Sequence, residues 1–196
     1  MNRQTSQTLQ TPHVLAIALL VGILALGFLA YSLLVPPSSL SAEPRDGAAE
    51  GQVSEGEVTV FDDTSPAVAN LDPELLEALR AAARDAREEG IVFYVNSGWR
   101  SPALQQRLLD EAVAEYGGEA EARRWVASPE RSAHVSGDAV DIGLFDAAYW
   151  LRYSGDRYGI CQIYENEPWH FELRPEAVDQ GCPAMYRDPT EDPRMR

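Results

Sequence analysis

Of the three histidines in the chain, two lie among residues whose types and spacing suit metal chemistry. His134 belongs to SAHVSGDAVDIG, residues 132–143, seven positions before Asp141. Strand alternation across that run puts Val140 and Ile142 on one face and Ala139, Asp141 and Gly143 on the other. A carboxylate between two very small neighbours leaves room for a metal and a substrate backbone. His170 opens WHFEL, where alternation pairs it with Glu172 and gives Trp169, Phe171 and Leu173 a shared apolar face toward the core. Two imidazoles and one carboxylate, with a fourth position left for water, form a common catalytic zinc set. Read singly, each histidine also fits an ordinary structural role; the combination with Asp141 is what points to a metal.

Glu167 stands three residues before His170, with Pro168 and Trp169 between them. Pro168 opposes a helix and favours an extended or turning backbone. Glu167 then belongs to a loop beside a strand ligand, where a glutamate can serve as general base for a water on the metal. The plainer reading is a solvated loop glutamate. Arg100, in NSGWRSP, is either a surface charge stacked on Trp99 or the cation that an oxyanion or carboxylate substrate needs. Cys161 could supply a fourth ligand, but a disulfide with Cys182 explains it better.

These residues need elements to hold them. Residues 70–90 carry the clearest helix: Asp72 suits the N-cap, Pro73 the first turn, and Gly90 the stop. Leu75, Leu76, Leu79, Ala82 and Ala83 give it one buried face. Further helices are expected over 102–116, 119–126 and 146–153. Strands are expected at 58–61, 91–95, 138–145, in ICQIY and in WHFEL. Helices gather early and strands late. This predicts an α+β fold rather than repeating βαβ units.

The formal charge of -15, with arginine as the only basic side chain besides histidine, argues against nucleic acid as partner, because phosphate binding needs a positive patch. Residues 14–35 run for 22 positions without a charge, enough to span a bilayer core. That length favours an uncleaved anchor over a signal peptide, although SLSA at 39–42 could be a cleavage site. Arg3 before the span gives a slight lean toward an inside N-terminus. Residues 36–57, rich in Pro, Ser, Gly and Glu, read as a tether. Outside the membrane, Cys161 and Cys182 are expected to pair, closing a loop worth about 3 kcal/mol.

Taken together, SGWRS, SAHVSGDAVDI and EPWHFEL resemble the VanY-like D-alanyl-D-alanine carboxypeptidases, zinc peptidases of the hedgehog/D,D-peptidase fold. The family pattern Ser-x-His-x-x-Gly-x-Ala-x-Asp, followed by Glu-x-x-His, is filled in order by Ser132, His134, Gly137, Ala139, Asp141, Glu167 and His170. The resemblance covers about residues 65–185. It implies a small antiparallel sheet with helices packed on it. It implies zinc held by His134, Asp141 and His170, Glu167 as catalytic base, Arg100 steadying the reacting carbonyl, and Ser132 lining the site. The substrate it implies is a peptidoglycan stem peptide ending in D-Ala–D-Ala. An L,D-carboxypeptidase or endopeptidase of the same fold is the nearest alternative, and a non-catalytic zinc-binding wall module a more distant one. The expected organisation is a cytoplasmic segment (1–13), a single transmembrane anchor (14–35), a flexible linker (36–57), an extracytoplasmic zinc peptidase domain (58–186) and a disordered tail (187–196).

Overall fold

The computed structural model describes residues 47–143 and 145–195. The apolar run 14–35 and the start of the tether lie outside them. Among the described residues no helix is long and apolar enough to cross a membrane.

The architecture is α+β. Four short strands, β1 (Tyr94–Ser97), β2 (Ala139–Gly143), β3 (Ile160–Gln162) and β4 (His170–Leu173), form one antiparallel sheet in the order β1-β2-β4-β3. The one-turn helix α1 (Pro66–Ala69) leads into α2 (Pro73–Glu88), whose Asp72 side chain caps the backbone N–H groups of Glu74 and Leu75. Helix α3 (Pro102–Tyr116) starts the same way, with Ser101 capping Leu104. The single turns α4 (Glu119–Ala122) and α5 (Ala133–Ser136) follow. After β2 come α6 (Phe145–Ser154) and, beyond β4, α7 (Ala177–Gln180).

The core lies on one side of the sheet. Leu75, Leu79, Ala82, Ala83 and Ala86 of α2 pack on Val95, Val140, Ile142 and Phe171, and Ala147, Trp150 and Leu151 of α6 join them. Each fully buried leucine contributes about 1.5–3 kcal/mol. That dry face leaves the opposite face of β2 and β4 to carry polar side chains.

Several expectations change. Residues 58–61 form only a bridge, Thr59 to Tyr94, and the first strand runs two to three residues later than 91–95. The helix expected over 119–126 ends after one turn at Ala122. The folded unit begins before Val58. Glu50 accepts the backbone N–H of Ser101 at 2.8 Å and pairs with Arg107, and Gly51 is buried, so the expected linker is docked around residues 50–51. The tail is not disordered: Asp188, Pro189 and Asp192 are buried, and two 3-10 turns span 189–195. Its anchors are charges, which a search for apolar residues overlooks. Cys161 and Cys182 form a disulfide, as expected, which leaves no thiolate for a metal.

Candidate metal centre and active site

Strand register brings the first two candidate ligands together. Asp141 of β2 lies directly opposite His170 of β4, and Ser97 of β1 lies opposite Asp141 on the other side. Directly opposed residues project to the same face. His170 Nδ1 therefore meets Asp141 Oδ1 at 3.2 Å. His134 arrives from α5, which ends at Gly137 in the left-handed region, φ 85°. A Cβ at Gly137 would stand 2.5 Å from the Asn70 carbonyl oxygen. His134 Nε2 comes within 3.4 Å of the same Asp141 Oδ1.

Each imidazole is aimed by a bond from its far nitrogen. His134 Nδ1–H donates to the Gly98 carbonyl at 2.8 Å, which leaves Nε2 as the free lone pair. Gly98 cannot carry a side chain here, because its Cβ would lie 2.0 Å from the Ala67 carbonyl oxygen. His170 Nε2–H donates to Glu172 Oε1 at 3.1 Å, which turns Nδ1 toward Asp141. One donor atom from each of His134, Asp141 and His170 falls within 4.8 Å of the other two, and all three residues are buried. Imidazoles oriented by outer hydrogen bonds and converging with a carboxylate fit zinc well once His170 gives up its proton.

Glu167 completes the cluster from a turn. The His170 N–H donates to the Glu167 carbonyl at 3.1 Å, so residues 167–170 form a turn with Pro168 in the position where proline is favoured. This explains the three-residue spacing. Glu167 Oε2 lies 3.6 Å from His170 Nδ1, and its buried Oε1 has no partner among the described residues. A buried carboxylate oxygen aimed into a cavity without a donor is costly unless a water or ligand meets it.

The electrostatics set these groups apart. Burial, aided by Asp141 and opposed by His170 and Arg100, pushes the Glu167 carboxyl up to about 7. Burial would raise Asp141, but His134, His170 and Arg100 hold it well below the usual carboxylate range. Burial, then the nearby Arg100 charge, lowers His134. Burial also opposes the imidazolium of His170, yet its bonds to Asp141 and Glu172 outweigh this and push it up to about 10.

Arg100 is held as a rigid fork. Nε donates to Ser97 Oγ at 2.6 Å, Nη1 to Gln105 Oε1 at 3.1 Å, and Nη2 to Asp141 Oδ2 at 2.9 Å. It is therefore no surface charge on Trp99; it secures the second oxygen of the central carboxylate. Ser132 is buried in the wall of the same cavity of about 420 Å³. Arg131, next to Ser132 in the chain, is exposed and does not line that cavity.

Four contributors escaped the sequence. Gln105 and Ser97 orient Arg100, and nothing in their surroundings marks them. Glu172 shares a face with His170, so alternation did point at it, but its partners Arg174 and Arg194 lie off the strand. Trp169, expected to anchor the core, is 41% exposed and lines the cavity instead. The turn that delivers Glu167 has not yet become strand at residue 169, so alternation does not apply there.

Comparison with known proteins agrees with this geometry. The family model VanY, D-alanyl-D-alanine carboxypeptidase, matches residues 68–154, from α1 through α6. A D-alanyl-D-alanine carboxypeptidase of Enterococcus faecalis (strain ATCC 700802 / V583) is 36% identical, over 44% of this chain and 41% of the relative. The chain thus spans less than half the length of that curated relative. The solved structure of VanYB in complex with D-alanine-D-alanine is 29% identical, with a TM-score of 0.52 over 57% of this chain and 74% of that one. A vancomycin-resistance D,D-pentapeptidase VanY variant in complex with Zn(II) is 31% identical, with a TM-score of 0.49 over 53% and 72%. With Arg100, His134 and Asp141 all inside the matched span, and Glu167 and His170 completing the site just beyond it, this chain belongs to the VanY-like family of D-alanyl-D-alanine carboxypeptidases.

Proposed function

We propose that the chain is a zinc-dependent D-alanyl-D-alanine carboxypeptidase that trims peptidoglycan stem peptides ending in D-Ala–D-Ala. The observation that carries this reading is the convergence of His134, Asp141 and His170 on one point beside Glu167 Oε1, a buried oxygen without a partner. The complex of VanYB with D-alanine-D-alanine supports the choice of substrate.

His134, Asp141 and His170 would hold the zinc ion, which would serve as a Lewis acid for a carbonyl and lower the pKa of a bound water toward about 7. The protein's own groups do the rest. Glu167, buried beside the ligands with Oε1 turned to the cavity and unpartnered, takes a proton from the attacking water and returns it to the departing amine. Arg100 keeps Asp141 in place and presents a fixed positive charge to the cavity where negative charge grows on the substrate carbonyl. Trp169, at the cavity wall, shields the reacting bond from bulk water.

The same proposal places the domain outside the cell membrane, tethered by residues 14–35. Two features support that placement: the charge-free length of the run and the disulfide, which persists in an oxidising compartment. Retention of the full chain in membranes after an alkaline carbonate wash is expected; release into the wash would refute the anchor.

The activity is tested with the purified full chain, zinc and a pentapeptide stem ending in D-Ala–D-Ala. Free D-alanine should appear and should stop with a chelator. No release from folded, zinc-loaded protein refutes the reading. Release only from a tetrapeptide stem moves it to an L,D-carboxypeptidase.

A further inference from the structure

The last residues of the described chain reach back to the metal centre. Arg194 places Nη1 at 2.5 Å from Glu172 Oε2 and Nη2 at 3.2 Å from Glu172 Oε1. Its Nε donates to both oxygens of Asp192 at 3.0 Å, and Nη2 also pairs with Asp192. Asp192 is fully buried and accepts the Tyr164 hydroxyl at 3.0 Å; the Tyr164 ring lies 5.1 Å from that of His170. Met195 and Pro189 from the same segment line the catalytic cavity. The segment lies beyond residues 68–154, which the family model matches.

The chemistry of Glu172 explains why a distant cation is needed. Its side chain is 1% exposed, and its Oε1 accepts from His170 Nε2. A carboxylate that deep survives as an anion only with paired cations. Two are present: Arg174 Nη2 at 2.6 Å, from the residue just past β4, and Arg194 from the tail. Only Arg194 reaches both carboxylate oxygens, so it fixes the plane of the group as well as its charge. That plane decides where His170 Nε2–H must point, and hence where Nδ1 points.

We propose that the segment 188–195 is a working part of the metal centre, with Arg194 as a positioning residue that acts through Glu172 to hold His170 in its ligand orientation. Arg194 does not line the cavity, and its bonds go to Glu172 and Asp192 rather than to His134, Asp141 or His170. It acts at one remove, and its side chain is 45% exposed, so it can be replaced without opening the core. The proposal rests on the reading of His134, Asp141 and His170 as zinc ligands, and the test keeps the two apart.

The test uses the full chain with Arg194→Gln, Arg194→Lys and, as control, Arg187→Gln. Arg187 is an exposed arginine of the same tail that pairs with Glu191. Zinc affinity is read by chelator competition and ligand geometry by the visible spectrum of the cobalt-loaded protein. Outer hydrogen bonds of this kind change metal affinity about 10–100-fold. With Arg174 still present, Arg194→Gln should weaken zinc about 10-fold and shift the cobalt spectrum. Arg194→Lys should recover part of the loss, and Arg187→Gln should match the wild type. Zinc affinity within twofold of wild type for Arg194→Gln overturns the proposal. So does an equal loss in the Arg187 control, which would mean general loosening of the tail. A wild-type chain that binds zinc but releases no D-alanine defeats the carboxypeptidase reading alone, and the zinc comparison still decides the role of Arg194. A folded wild-type chain that takes up no zinc overturns both.

Discussion

Asp141 and His170 stand face to face across β2 and β4, and their side chains meet at 3.2 Å. Register alone fixes this pair, so the metal centre inherits the rigidity of the central strands rather than the freedom of loops. Asp141 also receives Arg100 on its other oxygen and faces His134, which makes it the hub of the site.

Replacing Glu167, the base we propose, should separate chemistry from metal binding. Glu167→Gln keeps the shape of the side chain and should lower kcat by about 10²–10⁴-fold with zinc affinity nearly unchanged. The same variant reports on stability. The folded-state pKa of Glu167 is raised to about 7 from an ordinary value near 4.5. Its contribution is therefore fully present below pH 4.5 and is lost as pH rises through 7. Metal-free Glu167→Gln should gain stability relative to metal-free wild type between those pH values, by a few kcal/mol at most. Urea titrations at pH 4.5 and 8 check this, and a constant difference between the two proteins would refute it.

Zinc uptake should expel protons. The neighbouring carboxylates hold His170 as an imidazolium, with a pKa of about 10, in the metal-free protein. Ligation requires the neutral ring. Calorimetry at pH 8, repeated in buffers of different ionisation heat, should show at least one proton released per zinc, from His170, with the bound water adding to it. Affinity should fall steadily as the pH is lowered.

Arg100→Lys tests the fork. A lysine keeps the charge but cannot serve Ser97, Gln105 and Asp141 together. We expect kcat to drop about 100-fold, the order found for loss of one oriented donor. Steady-state kinetics at saturating zinc would show it. Wild-type kcat in this variant would mean that charge alone suffices.

Gly98→Ala probes the backbone under His134. The added Cβ would stand 2.0 Å from the Ala67 carbonyl, so the loop must move, and with it the carbonyl that His134 Nδ1 uses. Lower thermal stability and weaker zinc binding should appear together. Normal values for both would show that the loop yields without cost.

Reduction of the Cys161–Cys182 bond should destabilise the domain by about 3 kcal/mol, given a sequence separation of 21. Denaturant curves with and without reductant measure it directly.

Much of the site was legible because alternation is a local rule. Val140 and Ile142 facing one way forced Asp141 the other way, and the same logic set His170 against Phe171. The helix at 73–88 announced itself through Asp72, Pro73 and its leucine face. What stayed hidden depends on distant partners. Alternation set Glu172 beside His170 but gave it no role, because Arg194, its counter-ion, lies twenty-two residues on. Trp169 sat in an apolar pattern, but the turn at 167–170 rotates it out to the cavity. Residues 47–57 and 187–195 have few large apolar side chains, and they dock through pairs such as Glu50–Arg107 and Arg124–Asp188, which composition does not reveal.

His134 and His170 bracket β2, α6 and β3 along the chain. An ion joining them would close that whole stretch into a ring, and the disulfide closes the next stretch from Cys161 onward. The two closures overlap between residues 161 and 170, so β3 and the turn carrying Glu167 belong to both. Local opening of this region would then be restrained by a covalent bond and by the metal bonds together. Its resistance to proteases should rise and fall with free zinc, which makes metal supply a control on the protein's lifetime as well as its activity.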